Sequence, residues 1–465
     1  MVDETLRGKI NPAKLRDLIK QEAVETVIVA FPDPYGRLLG KRVSGGFFLT
    51  DAALHGINAC DYLLVSDMEM RPVSEYEFTS WERGYGDVKL MPDWKTLRLA
   101  SWLSNTAIVL CDLTTSDGKR PIAIAPRTIL ARQVEKAKAA GFFPQGAAEL
   151  EMFIFRDSYQ QAQEKGFCNL QPFGDYIEDY HILQTAREEP LIGAIRHHLE
   201  YSGIPVETSK GEWGAGQHEI NIRYCHFVEM SDRTVLFKEI CKEIAIGQGL
   251  SLTFMAKWNE DAAGNSMHIH SSLWNVDGGG SVFAGDEDSL DLPVTCSSQF
   301  RWYLGGLLAH AREIMLFFAP NVNSYKRYQE GSFAPTGIAW AYDNRSVAFR
   351  VLGSGDSLRV ECRIPGADAN PYLALAAILA AGLDGIENRI EPPEAVSGSA
   401  YSSSKTTHLP MNITQAREAF EESAFAREAF GREVVSHYAR FARQEEEAFA
   451  RAVTDWERAR FFERI

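Results

Sequence analysis

The sequence predicts an α+β protein in two parts. A small N-terminal unit covers residues 1–112, and a larger unit covers 113–465, built on a curved, mainly antiparallel sheet backed by helices. Three observations predict this. Several short segments alternate strictly between polar and apolar residues, which is the signature of strands with one buried face. Longer segments between them have helical composition and stop signals. The pattern also changes after the apolar run TAIVLCDL, which ends near residue 112.

Residues 12–23 (PAKLRDLIKQEA) read as a helix and 26–31 (TVIVAF) as a strand. The DPYG turn at 33–36 leads to a second short strand near Leu38–Val43. Further helices are expected at 126–140, closed by Gly141, and at 232–247, 298–318, 371–386, 413–429 and 432–459. Short strands with one polar face lie between them, and those polar faces are expected to form the site.

At 465 residues the chain is long for a single core. No apolar run reaches the roughly 18 residues that a membrane span needs, and MVDETLRGKINPAKL has no apolar core of the signal-peptide type. Seven scattered cysteines with no CxxC pair fit a reducing compartment, so a cytoplasmic protein is expected. The net charge of −15 argues against nucleic acid as a partner. Anionic small molecules remain open, because local arginines or bound metal invert the field.

Four stretches carry chemistry. In AAELEMFIF (147–155), Glu149 and Glu151 point to one side of a strand, where like charges repel unless a cation lies between them. In VETSKGEWGAGQHEINIRY (206–224), Glu212 and Glu219 bracket a glycine-containing loop, and Glu219, Asn221 and Arg223 share a face. In GNSMHIHSSLW (264–274), His268, His270 and Ser272 share a face, and Gly264 permits close backbone approach to a ligand. In SLRVECRIPGADANPYLALAA (357–377), Glu361 sits between Arg359 and Arg363.

Taken singly, these segments also read as solvated strand faces or a surface salt-bridge ladder. Together, five glutamates and a histidine supply two hard-cation sites of three ligands each, better suited to Mg²⁺ or Mn²⁺ than to zinc. Arg327, Arg345, Arg350, Arg359 and Arg363 add fixed positive charge, which is what phosphoryl transfer requires. No GxxxxGK[ST] loop is present, which excludes a P-loop site.

The ELE strand, EWGAGQHE, GNSMHIH, NSYKR, DNRS and RVECRIPGADANPYLA, in this order and spacing, resemble the glutamine synthetase family from about residue 15 to the C-terminus. The resemblance implies an N-terminal β-grasp domain, a catalytic domain, and a homo-oligomer of two hexameric rings, a dodecamer. It implies ATP and two or three Mg²⁺ (or Mn²⁺) ions per site. Glu151, Glu212 and Glu219 would hold one ion, and Glu149, His268 and Glu361 a second that bridges the nucleotide phosphates. Gly264 and His270 match the strand that holds L-glutamate. Arg327 and Arg363 match the arginines that grip its carboxylates, Arg363 also lying near the transferred phosphate. Arg345, Arg350 and Arg359 match nucleotide-phosphate positions. Glu207, Tyr224 and Ser272 match positions around ribose and adenine. The implied chemistry is ATP-dependent phosphorylation of the glutamate γ-carboxylate, followed by displacement of phosphate by an amine nitrogen.

The sequence departs from the family at the amine. Phe333, in EGSFAPTG, occupies the position of a glutamate that binds ammonium and takes its proton, and a phenyl ring does neither. The family's DGSS-type loop is replaced by HGINACDYLLVSDMEM (55–70), which leaves Asp61 and Asp67 as candidates for its aspartate. This pattern resembles the γ-glutamyl-amine ligases of amine catabolism and detoxification. An ordinary glutamine synthetase, with Phe333 as a loop anchor, and a non-catalytic protein on the same scaffold are the alternatives. The segment that carries the family's adenylylated tyrosine reads SKTTHLPMN here, with Thr407 near that place, so no adenylylation is expected.

Overall fold

The computed structural model describes residues 6–285, 293–402 and 406–465. Two sheets organise the chain. The first contains β1 (Thr26–Pro32), β2 (Leu38–Ser44), β3 (Ile57–Cys60), β4 (Asp87–Pro92), β5 (Arg98–Leu99) and β6 (Thr106–Thr115), in the order β2-β1-β6-β4-β3 with β5 also on β6. Only β1 and β6 pair in parallel within it. Its core gathers Leu15, Val27, Val29, Phe31, Leu90, Val109 and Leu113. Leu15 comes from the predicted first helix, which is Pro12–Lys20, capped by the Asn11 side chain.

The second sheet uses β7 (Phe142–Phe155), β8 (Val206–Gly211), β9 (Gln217–Ile222), β10 (Cys225–His226), β11 (Ser251–Thr253) and β12 (Met267–Asn275). After the separate β13 (Gly337–Ile338) it continues with β14 (Trp340–Tyr342), β15 (Phe349–Leu352) and β16 (Arg359–Cys362). The order is β14-β15-β16-β12-β7-β9-β8, with β10 and β11 also on β7. Every pairing is antiparallel except β14 with β15. The helices Pro126–Ala139, Phe227–Gly247, Ser298–His310 and Pro371–Asn388 contribute to the core that covers its apolar face. Each fully buried Leu, Ile or Phe there contributes about 1.5–3 kcal/mol.

Three expected helices are interrupted. The 298–318 segment is Ser298–His310 followed by Met315–Phe318, with His310 at the break bonded to Glu313 (2.5 Å) and Asp384 (2.8 Å). The 413–429 segment divides at Ser423, which ends Ile413–Glu422 and caps Ala424–Phe430. The 432–459 segment divides at Thr454, whose capping box with Glu457 starts Asp455–Phe461. Thr407 lies exposed on β17 (Thr407–His408), which pairs with β13; part of SKTTHLPMN falls outside the described residues.

Polar ties join the two sheets' surroundings. Buried Arg127, beginning the Pro126–Ala139 helix, holds Asp93 (2.7 Å), Asp112 and Asp232 (3.1 Å). Lys9 and Arg98 converge on Glu229 of the Phe227–Gly247 helix, at 2.8 and 3.6 Å.

Candidate active site

The alternation read from the sequence holds on each central strand. Ala148, Leu150, Met152 and Ile154 of β7 are buried in the core, as are Ile220 and Ile222 of β9, Met267 and Ile269 of β12, and Val360 and Cys362 of β16. Their polar neighbours therefore share the opposite face. Pairing register sets them side by side. Glu149 is opposite His268 on one flank and Asn221 on the other, and Glu151 is opposite Glu219. His270 is opposite Glu361, which is opposite Arg350.

This face floors a cleft of about 950 Å³ lined by Glu149, Glu151, Glu212, Glu219, His268 and His270, with Gly264, Phe333 and the five predicted arginines at its walls. A neighbouring cavity of about 420 Å³ shares Glu149, His270 and Arg359 with it, and also takes in Glu207, Tyr224 and Ser272. The predicted nucleotide-base residues thus stand apart from the predicted metal ligands, with a shared wall between them. Arg223 lies just past the end of its strand. β9 ends at Ile222, so strand alternation stops and both Arg223 and Tyr224 are exposed.

Two sets of donors converge. Glu151, Glu212 and Glu219 bring carboxylate oxygens within 4.8 Å of one another, and Glu149, His270 and Glu361 do the same with an imidazole nitrogen. His268, expected in that second set, also borders it: its Nδ1 lies 3.5 Å from Glu361 and 3.7 Å from Glu149. His270 comes closer to Glu149, at 2.8 Å, because Arg359 Nε donates to its other nitrogen at 3.1 Å.

The donor chemistry fits divalent cations. Burial and the charge of Glu212 push Glu151 up to about 7. Burial with Glu149 and Glu212 pushes Glu219 up to about 9. Such carboxyls favour ionisation only when positive charge joins them. Lys210 gives part of that charge by pairing with Glu212. Burial would also raise Glu361, but Arg363 and His268 hold it down to about 2. Burial and Arg363 push His268 down to about 4, leaving a neutral imidazole able to ligate.

Arginines are fixed by their neighbours. Arg363 donates to Glu361 (2.6 Å) and to the Phe333 carbonyl (3.4 Å). Arg350 bridges Glu361 (3.1 Å) and Asp343. Arg327 is buried against the Ile364 carbonyl and packs over Gly264, where an added Cβ would meet the Arg327 Cγ at 2.4 Å. Gly264 therefore makes room for an arginine, a closer neighbour than the ligand expected there. Arg345 is exposed at the cleft wall.

Phe333 is half exposed and has φ 60°, a left-handed backbone that few bulky residues adopt. Its ring meets Trp213 edge to face, with centroids 6.0 Å apart. Trp213, Asp179, Tyr180, Ile182 and Lys257 line the same cleft and were not singled out from the sequence. The signal for Trp213 was its place beside Glu212 in EWGAGQHE. Asp61 and Asp67 do not line the cleft. Asp61 accepts from Thr79 Oγ1 (2.8 Å) and the Gly86 amide (3.0 Å), and Asp67 from the Arg71 amide (2.8 Å).

Compared with known proteins, residues 123–461 match the model of the glutamine synthetase catalytic domain. A γ-glutamylethanolamide synthetase of Streptomyces coelicolor is 46% identical over 97% of this chain and 96% of its own. A glutamate–isopropylamine ligase of a Pseudomonas species is 36% identical over 97% and 98%. A glutamine synthetase of Thermotoga maritima is 33% identical over 81% and 85%. The solved structure of GmaS without ligand superposes with a TM-score of 0.83 at 27% identity, over 96% of this chain and 98% of that one.

Proposed function

This chain belongs to the glutamine synthetase family, and we propose that it is the glutamate–amine ligase of that family its cleft is built for, joining the γ-carboxylate of L-glutamate to an organic amine at the expense of ATP. The observation that carries the amine assignment is the Trp213–Phe333 pair, aromatic surface at a position where ammonium chemistry calls for a carboxylate. The relatives named for ethanolamide and isopropylamide synthesis support the same reading.

Glu151, Glu212 and Glu219 would hold one Mg²⁺ or Mn²⁺ ion; Glu149, His268 and Glu361 would hold a second, with His270 alongside. When bound, the ions supply neutralising charge to the triphosphate. Arg327 grips a glutamate carboxylate beside Gly264 and His270. Arg345, Arg350 and Arg359 hold phosphate oxygens, while Glu207, Tyr224 and Ser272 receive ribose and adenine. The γ-carboxylate oxygen attacks the terminal phosphorus in line, and ADP leaves. Arg363, anchored to Glu361, meets the charge that spreads over the phosphoryl oxygens.

The amine nitrogen then attacks the γ-carbonyl carbon of γ-glutamyl phosphate. A C–N bond forms, the C–O bond to phosphate breaks, and the proton given up by the nitrogen balances the charge of the departing phosphate. Trp213 and Phe333 cover the carbon substituent. Asp179 and Glu212, linked through Lys210, are the acids beside Trp213 that can meet a cationic amine.

We assign residues 1–112 to a β-grasp-like domain and 113–465 to the catalytic domain, in a cytoplasmic dodecamer serving amine catabolism. No helix among the described residues is long and apolar enough to cross a membrane. ATP-dependent phosphate release with glutamate, measured across ammonium, ethanolamine, putrescine, isopropylamine and aniline, tests the function. At least one organic amine is expected to exceed ammonium. Ammonium equalling them all would return the chain to ordinary glutamine synthetase, and no turnover with any amine would favour a non-catalytic scaffold.

A further inference from the structure

Behind the catalytic face lies a second group of ligating side chains that the reaction does not use. His218 precedes Glu219 on β9 and so points away from the cleft. There it meets Glu188, immediately before the Glu189–Tyr201 helix, and Glu178, from the segment before the Ile182–Thr185 helix, the latter at 3.2 Å. His218 Nε2 and one oxygen of each glutamate lie within 4.8 Å of one another. All three residues are essentially out of contact with water, at 0–1% exposure.

Neighbouring backbone is shaped around Glu178. The Gly216 amide donates to its Oε1 at 2.7 Å, and a Cβ on Gly174 would come within 1.7 Å of that oxygen. The remaining donors are unspent. Glu178 Oε2, Glu188 Oε1 and His218 Nδ1 have no hydrogen-bond partner. Independently, Gln184 is 1% exposed with both amide atoms unpartnered, although its amide stands close enough to Glu178 to lower that carboxyl's proton affinity.

Among the described residues no lysine or arginine forms an ion pair with Glu178 or Glu188. Arg156 acts on Glu188 only from a distance. Burial with the charge of Glu178 pushes Glu188 up to about 9. Two carboxylates in a dry interior are costly unless a positive charge joins them. An imidazole, two carboxylates and an amide oxygen make a four-donor set. Four donors are too few for Ca²⁺, and a site at 0–1% exposure has no place for the waters that Mg²⁺ keeps; the same closure separates it from a catalytic zinc site.

We propose that Glu178, Glu188 and His218, completed by the Gln184 amide oxygen, form a closed structural site for one divalent first-row transition cation of the Zn²⁺ type. The site braces the Glu212–Glu219 loop from behind and is independent of the amine the enzyme uses.

The experiment is metal analysis of the full-length protein grown in zinc-supplemented medium and then dialysed against EDTA. The open cleft should be stripped while the closed site keeps about one zinc per chain. Glu178→Gln should lower that content at least tenfold, with circular dichroism unchanged. Should that variant misfold, anomalous diffraction at the zinc edge from wild-type crystals is expected to give a peak between His218 and Glu188. Wild-type protein that keeps no zinc overturns the proposal and leaves a proton shared by the two carboxyls. Zinc content unchanged in a folded Glu178→Gln, or an anomalous peak only in the cleft, overturns it as well.

Discussion

The rings of Trp213 and Phe333 meet edge to face with centroids 6.0 Å apart, one from the loop between β8 and β9, the other from the loop after Arg327. Each ring is about half exposed, at 52% and 49%. Half-exposed aromatic surface on a cleft wall is ready to take up apolar area from a ligand. Trp213→Ala should raise KM for a carbon-bearing amine roughly tenfold, about 1.4 kcal/mol, with little change in KM for ATP. Phe333→Glu should lower kcat/KM for that amine and raise it for ammonium. Steady-state kinetics on the amine panel check both; an unchanged amine preference in Phe333→Glu would reduce Phe333 to a loop anchor.

Gly264 and Arg327 are in direct contact, and a methyl at 264 has no space. Gly264→Ala should push the Arg327 side chain aside while leaving the Ile364 carbonyl that it bonds in place. Since misplacement of a positioning group by about 1 Å costs up to 10²-fold, kcat/KM for glutamate should fall about 10- to 100-fold. Thermal melting should show a smaller change than the kinetics do.

Clustered carboxylates at Glu151, Glu212 and Glu219 repel in the absence of an ion. Adding Mg²⁺ to chelator-treated protein should therefore raise Tm and restore turnover together. At a hundredfold excess over Kd the gain is about 2.7 kcal/mol. Glu219→Gln should remove both the Tm response and the activity. Differential scanning fluorimetry against Mg²⁺ concentration reads the first, and phosphate release the second.

Glu229 is the meeting point of Lys9, Arg98 and Arg233. Burial opposes its charge, but Arg98 and Lys9 hold the carboxyl down to about 2. A carboxylate whose folded pKa is depressed contributes stability above its unfolded value near 4.5, and that contribution is lost as pH falls toward 2. Chemical denaturation between pH 5 and pH 3 should show this loss, on the order of 3 kcal/mol when complete. Glu229→Gln should flatten that slope and cost about 3 kcal/mol at pH 7, because Lys9 and Arg98 stay buried without their acid.

Most of the cleft was legible because strand alternation is a local rule. ELE, HIH and RVECR each declare a polar face from spacing alone, and the structure sets all three on one sheet. The rule stops where β9 stops, at Ile222, so it says nothing about Arg223 and Tyr224. Breaks at Ser423 and Thr454 had readable capping signals, such as T-x-x-E at 454–457. The break after His310 had no capping signal, and one of its two partners, Asp384, is 74 residues away. Trp213 meeting Phe333 and His218 meeting Glu188 are likewise long-range contacts. No spacing in the chain encodes them.

The pairing of β12 with β7 carries a consequence for assembly. A slip of one residue would turn His268 and His270 into the hydrophobic interior and bring Met267 and Ile269 out to water. Such a mispaired chain forfeits several buried side chains at once, so it is rejected during folding on energetic grounds before any substrate is present. The greasy half of the strand thus proofreads the chemical half.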